Sequence, residues 1–148
     1  MCGLVGCAGS IVPKHETAFK QLLAVDALRG EHSTGVLSVK KASFEPSIVK
    51  TVGDPYQLFD LNSFKDLMRA SHLVLLGHNR QATTGKITRA NAHPFDTGKL
   101  IGAHNGTLLN KHTLSDHWKF DVDSENLYHH MQEKGFHYHA RYSNDRTL

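Results

Sequence analysis

The sequence predicts an α+β domain. Short apolar runs bounded by glycine, stretches of helical period and tight-turn dipeptides are mixed along its 148 residues without strict strand–helix alternation. That length fits one domain with a sizeable core. A hydrophobic content of 39% and a charged content of 21% are ordinary for a soluble globular chain. The formal charge of +3 is too mild and too dispersed to call for nucleic acid. No apolar run approaches the roughly 18 residues of a membrane helix. The opening residues lack the basic-then-apolar pattern of a secretory signal.

Taken in order, Gly3 to Ala8 is apolar and glycine-bounded, which predicts a buried strand. Pro13 can open a helix, with Ala18, Leu22 and Val25 on one face, Phe19, Leu23 and Asp26 beside it, and Arg29-Gly30 closing it. Val36 to Val39 and Ser47 to Val52 read as strands joined by a turn near Glu45-Pro46. Tyr56 to Ala70 predicts two short helices with Leu58, Leu61, Phe64, Leu67 and Met68 as their apolar face. Leu73 to Leu76 is fully apolar, hence a central strand, emptying into Gly77-His78-Asn79-Arg80. Ala82 to Phe95 is rich in Thr, Gly, Asn and Pro and predicts a long ordered loop. Leu100 to Ala103 reads as another buried strand, and Asp123-Ser124 as the N-cap of a last helix through Leu127 and Met131.

Strand ends that deliver polar groups to one sheet edge are a common way to build a site. Cys2 is placed to join one. Once Met1 is removed, which a small second residue permits, Cys2 carries a thiol and a free α-amine. These groups ordinarily titrate near about 8.5 and about 7.7–8.0. The amine is then partly neutral at pH 7 and can act as general base for the nucleophile on its own Cα. Position alone favours the plainer reading of a small buried cysteine at a strand start. Singly, the other polar clusters are also ambiguous: Asn105-Gly106 suits a hairpin turn, Arg80 a surface arginine, His93 a loop cap and Asp123 a helix cap.

Together they form an ordered series. Cys2-Gly3-Leu4-Val5-Gly6, Leu28-Arg29-Gly30-Glu31-His32-Ser33-Thr34-Gly35, Gly77-His78-Asn79-Arg80-Gln81-Ala82-Thr83-Thr84-Gly85, Asn91-Ala92-His93-Pro94-Phe95, Ala103-His104-Asn105-Gly106-Thr107 and Asp123-Ser124-Glu125 follow one another along the chain. This series closely resembles the class II glutamine amidotransferases, whose glutaminase domain uses an N-terminal cysteine nucleophile. The resemblance implies an N-terminal-nucleophile hydrolase fold, a four-layer αββα sandwich. It implies that Cys2 attacks the side-chain amide of L-glutamine, releasing ammonia and leaving a γ-glutamyl thioester that water hydrolyses to glutamate. The Asn105 side-chain amide and the Gly106 N–H would stabilise the oxyanion, each such donor being worth about 2.7–4 kcal/mol. Arg80 would grip the α-carboxylate with its planar fork, and Asp123 would accept from the α-ammonium. Thr83 and His93 resemble the pocket wall, while Arg29 and Gly30 resemble the block supporting the nucleophile. Cys7 matches no functional position and reads as core.

The chain departs from the pattern in two residues and at its end. His32 stands where the family usually has Asp, and Gln81 where an aromatic residue often follows the arginine. Past the Asp-Ser-Glu block the family continues with a helix and several strands, whereas 135–148 is polar and lacks a buried-strand pattern. The expected organisation is one glutaminase domain over 1–148, with the resemblance covering 2 to about 130, the tail 135–148 unassigned and the sandwich incomplete at its C-terminal end. No synthase domain follows in the sequence, so the expected partners are L-glutamine and a separate ammonia-accepting chain, without nucleic acid or membrane. The twelve histidines are scattered, and neither His129-His130 nor His137-x-His139 matches a zinc spacing, so no metal or organic cofactor is expected. Two cysteines this close cannot frame a disulfide network, which suits the cytoplasm. Two rivals remain. Another N-terminal-nucleophile amide hydrolase is opposed by Arg80 and Asp123, which demand a free amino-acid head group. The second is an impaired relic that binds a partner.

Overall fold

The computed structural model describes residues 1–135. Beyond Gly135, the tail and the His137-x-His139 pair lie outside the described residues. The fold is α+β. Its sheet is fully antiparallel, with β1 (Gly3–Ala8), β2 (Ser33–Lys40), β3 (Pro46–Val52) and β4 (His72–Arg80) in the order β1-β4-β2-β3. Helix α1 (Pro13–Asp26) follows β1, and the short helices α2 (Pro55–Asp60) and α3 (Asn62–Leu67) follow β3. A ribbon of β5 (Phe95–Asp96) with β6 (Ile101–Gly102) and helix α4 (Asp123–Lys134) complete the described fold. An αββα sandwich needs two stacked sheets. Among the described residues one full sheet forms, and the remaining strands are this two-residue pair. No helix among them is long and apolar enough to cross a membrane.

Strand alternation sorts the side chains into two layers. On one face Phe19 and Leu23 of α1, Leu58 of α2 and Phe64 and Leu67 of α3 pack on Val36, Val49 and Leu75. Gly77 belongs to this face, since a Cβ there would sit 2.8 Å from Leu23. So does Asn79, whose amide donates to the Leu23 carbonyl at 2.7 Å. Gly3 faces α1 too, where a Cβ would run into the Asp26 carboxylate. The alternate residues, including His78 and Arg80, face the opposite side, which the 81–122 loops and α4 cover. Asp54 caps α2 by accepting from the Tyr56 and Gln57 amides at 2.9 and 3.1 Å, ahead of Pro55 at the first helical position.

Several sequence expectations are corrected. β1 is an edge strand, and Gly3 alone of its residues is buried; glycine-bounded apolar runs also arise where one ladder and one helix suffice. In α1 the buried face is Phe19 and Leu23, while Leu22 and Val25 stay 57% and 65% exposed. Phe19 and Leu23 meet the sheet at Gly77, where the missing side chain leaves room for them. β4 does not stop at Leu76. It runs on through Gly77-His78-Asn79-Arg80, because β1 and β2 flank it to its end. The strand expected over Leu100 to Ala103 shrinks to the half-buried β6. Helix α4 starts at Asp123 with Val122 as its N-cap, so the Asp123 carboxylate does not cap its own helix.

Candidate active site

The β1–β4 ladder pairs Gly3 with Asn79, and one further step of that register sets Cys2 opposite Arg80. Directly opposed residues of an antiparallel pair share a face. Cys2 and Arg80 therefore both belong to the loop-covered side. The Cys2 sulfur rests on the peptide after the strand: the Gln81 N–H donates to it at 3.3 Å, and the thiol points to the Gln81 carbonyl at 3.5 Å. Arg29 approaches from the other flank. Its Nε donates to the Cys2 carbonyl at 3.1 Å and lies 3.8 Å from Asp26, and its Nη2 reaches the Met1 sulfur. Gly30 lets two chains meet, since a Cβ there would lie 2.5 Å from the Gln81 nitrogen. A cavity of about 800 Å³ opens on this flank, lined by Met1, Val25, Leu28, Arg29, Asp54 and Gln81.

Arg80 is 3% exposed. Its Nη1 donates to the Lys86 carbonyl at 3.0 Å, and its Nη2 to the Thr84 carbonyl, so the fork holds two turns of the 81–94 loop. Burial pulls its guanidinium below the ordinary value, and the adjoining Cys2 and Asp123 act against that shift. Asp123 joins two loops. Its Oδ2 accepts the Leu108 N–H at 2.7 Å, and its Oδ1 accepts from the Thr84 hydroxyl at 3.4 Å. A carboxylate offers about four lone-pair sites, so both oxygens retain acceptor capacity. Thr83 meets Thr107 hydroxyl to hydroxyl at 3.2 Å, a second tie between the loops.

Asn105 and Gly106 sit on the loop after β6 and are exposed. That loop is anchored just before them by His104, whose Nδ1 bonds the Ser124 hydroxyl at 3.0 Å and whose carbonyl lies 3.2 Å from His78 Nε2. Gly106 leans on the His104 ring, which a Cβ would approach to 2.6 Å. His93 is buried, with its ring tilted over His78 at 4.1 Å and edge-on to Phe95 at 4.6 Å between centroids. Its carbonyl fills the space above Gly35 that a side chain would take.

The structure thus joins Cys2, Arg29, Gly30 and Arg80 around one peptide, and ties Arg80, Thr83 and Asp123 through the two loops. Asn105 and Gly106 lie further along the second loop, and His93 lies in the layer beneath it. Sequence reasoning overlooked His104 and Ser124 as loop anchors, although both fall inside the quoted blocks. It marked His32 only as a departure from the family pattern and gave it no role, whereas its backbone and ring hold the strand end at Arg80.

This arrangement places a thiol, a buried arginine and a carboxylate within one loop system, a set suited to acyl transfer from an amino-acid amide. The chain is homologous to the class II glutamine amidotransferase domain. More particularly, it matches the N-terminal part of glutamine–fructose-6-phosphate aminotransferases. It is 34% identical over 144 residues to the Sulfolobus acidocaldarius protein, covering 90% of this chain and 23% of that one. The Lactococcus lactis protein is 35% identical over 138 residues, covering 87% and 22%. The Methanococcus maripaludis protein is 31% identical over 146 residues, covering 90% and 22%. The chain spans just under a quarter of the length of these curated relatives. No family model matches it.

Proposed function

We propose that this chain is a glutaminase domain of the N-terminal-nucleophile type, cleaving L-glutamine to glutamate and ammonia. The observation that carries the reading is the ladder register, one step past which Cys2 lies opposite Arg80, while Arg80 and Asp123 both bond to Thr84. With Met1 removed, the Cys2 α-amine takes the thiol proton as Sγ attacks the glutamine side-chain carbonyl. The resulting oxyanion is held by the Asn105 amide and the Gly106 N–H. The C–N bond then breaks, the α-ammonium returns its proton to the departing nitrogen, and ammonia leaves. Water attacks the thioester by the same proton route and frees glutamate. Arg80 takes the α-carboxylate and Asp123 the α-ammonium, with Thr83 and His93 at the pocket wall and Arg29 and Gly30 supporting the nucleophile. The fold this implies is the αββα sandwich. The relatives' printed name couples glutamine to fructose 6-phosphate, and the proposal concerns glutamine.

Incubation of the Met-processed protein with glutamine should release glutamate, and Cys2→Ala should abolish it. Activity surviving in C2A would sink the mechanism. A panel of γ-glutamyl and acyl amides separates this reading from other amide hydrolases, because Arg80 and Asp123 require free α-groups. Mass spectrometry should find Met1 absent from the active form.

A further inference from the structure

We propose that His32 is a positioning residue for the nucleophile, acting through the Gln81 peptide. The consequence for turnover rests on the glutaminase reading; the geometry does not. Gln81 lies one residue past the end of β4 and outside its ladders, yet its peptide is what the Cys2 sulfur rests on. Something other than the sheet must hold it. His32 brackets it on both sides. The His32 N–H donates to the Arg80 carbonyl at 3.0 Å, and the Ala82 N–H donates to His32 Nδ1 at 3.0 Å. The bracket is itself anchored, because the His32 carbonyl accepts from the Gly53 N–H at 3.0 Å where β3 ends. Gly30 closes the remaining side by packing without a side chain against the Gln81 nitrogen.

The ring's role is specific. Nδ1 is the acceptor for the Ala82 N–H, the bond the ring makes to the turn. Deleting that acceptor leaves the Ala82 N–H unpaired and frees the turn that aims the Gln81 N–H at sulfur. The Gln81 N–H and carbonyl both meet the sulfur, so the position of this turn sets the position of Sγ.

The test compares the parent chain with His32→Ala, His32→Phe and His32→Asp. The Phe variant keeps the ring volume without an acceptor, and the Asp variant keeps an acceptor without the ring. Cys2 and Cys7 are alkylated with iodoacetamide and read separately by peptide mass spectrometry, with the partly buried Cys7 as the internal reference. The ratio of Cys2 to Cys7 labelling should rise roughly threefold or more in H32A and H32F, as the freed turn uncovers the sulfur, and hold in H32D. Glutamate release should fall in kcat with KM little changed, and return in H32D. An unchanged ratio in H32F, or a rise in H32D matching H32A, overturns the proposal; H32F decides if H32A loses its cooperative urea transition. A parent chain that releases no glutamate yet shows the labelling shift removes the glutaminase reading and leaves the positioning intact. An active chain with no shift does the reverse.

Discussion

The imidazoles of His78 and His93 lie 4.1 Å apart, centroid to centroid, with both rings cut off from water on the loop-covered side of the sheet. Neither ring nitrogen of His93 has a protein hydrogen-bond partner. The layer under the site is therefore built from two histidines that fit only when neutral.

Acid should dissolve that layer. Burial pushes His78 down to about 4 and His93 lower still. Between those values and the ordinary histidine value of about 6.5, the unfolded chain binds more protons than the folded one, so unfolding free energy rises with pH. Stability is full above about pH 6.5 and declines toward pH 4, by up to about 1.4 kcal/mol per pH unit for each ring. Urea midpoints measured from pH 4 to 8 should show this slope, and His93→Phe should remove about one proton from it. A midpoint flat across that interval would contradict the account.

Gly35 should tolerate nothing larger. Its missing side chain makes room for the His93 carbonyl, so Gly35→Ala should cost about 3 kcal/mol or more by overpacking against backbone. Gly6→Ala is the control, since its Cβ would meet Leu76 at an ordinary 3.5 Å. Thermal unfolding of the pair should separate them clearly. Equal melting temperatures would refute the close approach.

Asp123→Ala should loosen the loop that carries Asn105 and Gly106. It removes the acceptor of the Leu108 N–H and of the Thr84 hydroxyl, at a cost of about 2 kcal/mol or more for charge-assisted bonds. Amide exchange at Leu108 should accelerate in D123A and stay slower in D123N, which keeps one acceptor oxygen. Unaltered exchange in D123A would show that the tie does not hold the loop.

Arg80→Lys keeps the charge and loses the fork. One ammonium cannot reproduce the planar pair of donors now serving the Thr84 and Lys86 carbonyls. Glutamine turnover should fall about 10–100-fold in kcat/KM, equivalent to about 1.4–2.8 kcal/mol. Steady-state kinetics at saturating and limiting glutamine measure it, and parent-like kinetics would remove Arg80 from the substrate site.

Much of this was legible in the residues. The hairpin of β2 and β3, the paired short helices and the Pro13 start of α1 all carry local turn, cap or period signals, and local signals survive folding. What was missed depends on neighbours. Nothing in Gly77-His78-Asn79-Arg80 says that β1 and β2 will flank it and extend β4, although once extended its alternation sends His78 and Arg80 to one face and Asn79 to the other. Leu22 and Val25 lost the core to Phe19 and Leu23 through a rotation of α1 that no helical period fixes. At the site, ordered blocks picked out Cys2, Arg80 and Asp123 one by one. The peptide of Gln81 and the ring of His32 enter only through contacts between segments distant in sequence.

The single ladder between β1 and β4 makes errors in this site discrete. Side chains alternate, so a slip of one residue would not shift Cys2 slightly; it would turn it to the helix face. It would also drive a side chain from Cys2 or Leu4 into the place beside Asp26 where Gly3 has no room even for a Cβ. The strand is correctly indexed or it is expelled. Whatever activity the chain has should therefore vary between molecules as a fraction competent, not as a graded rate shared by all.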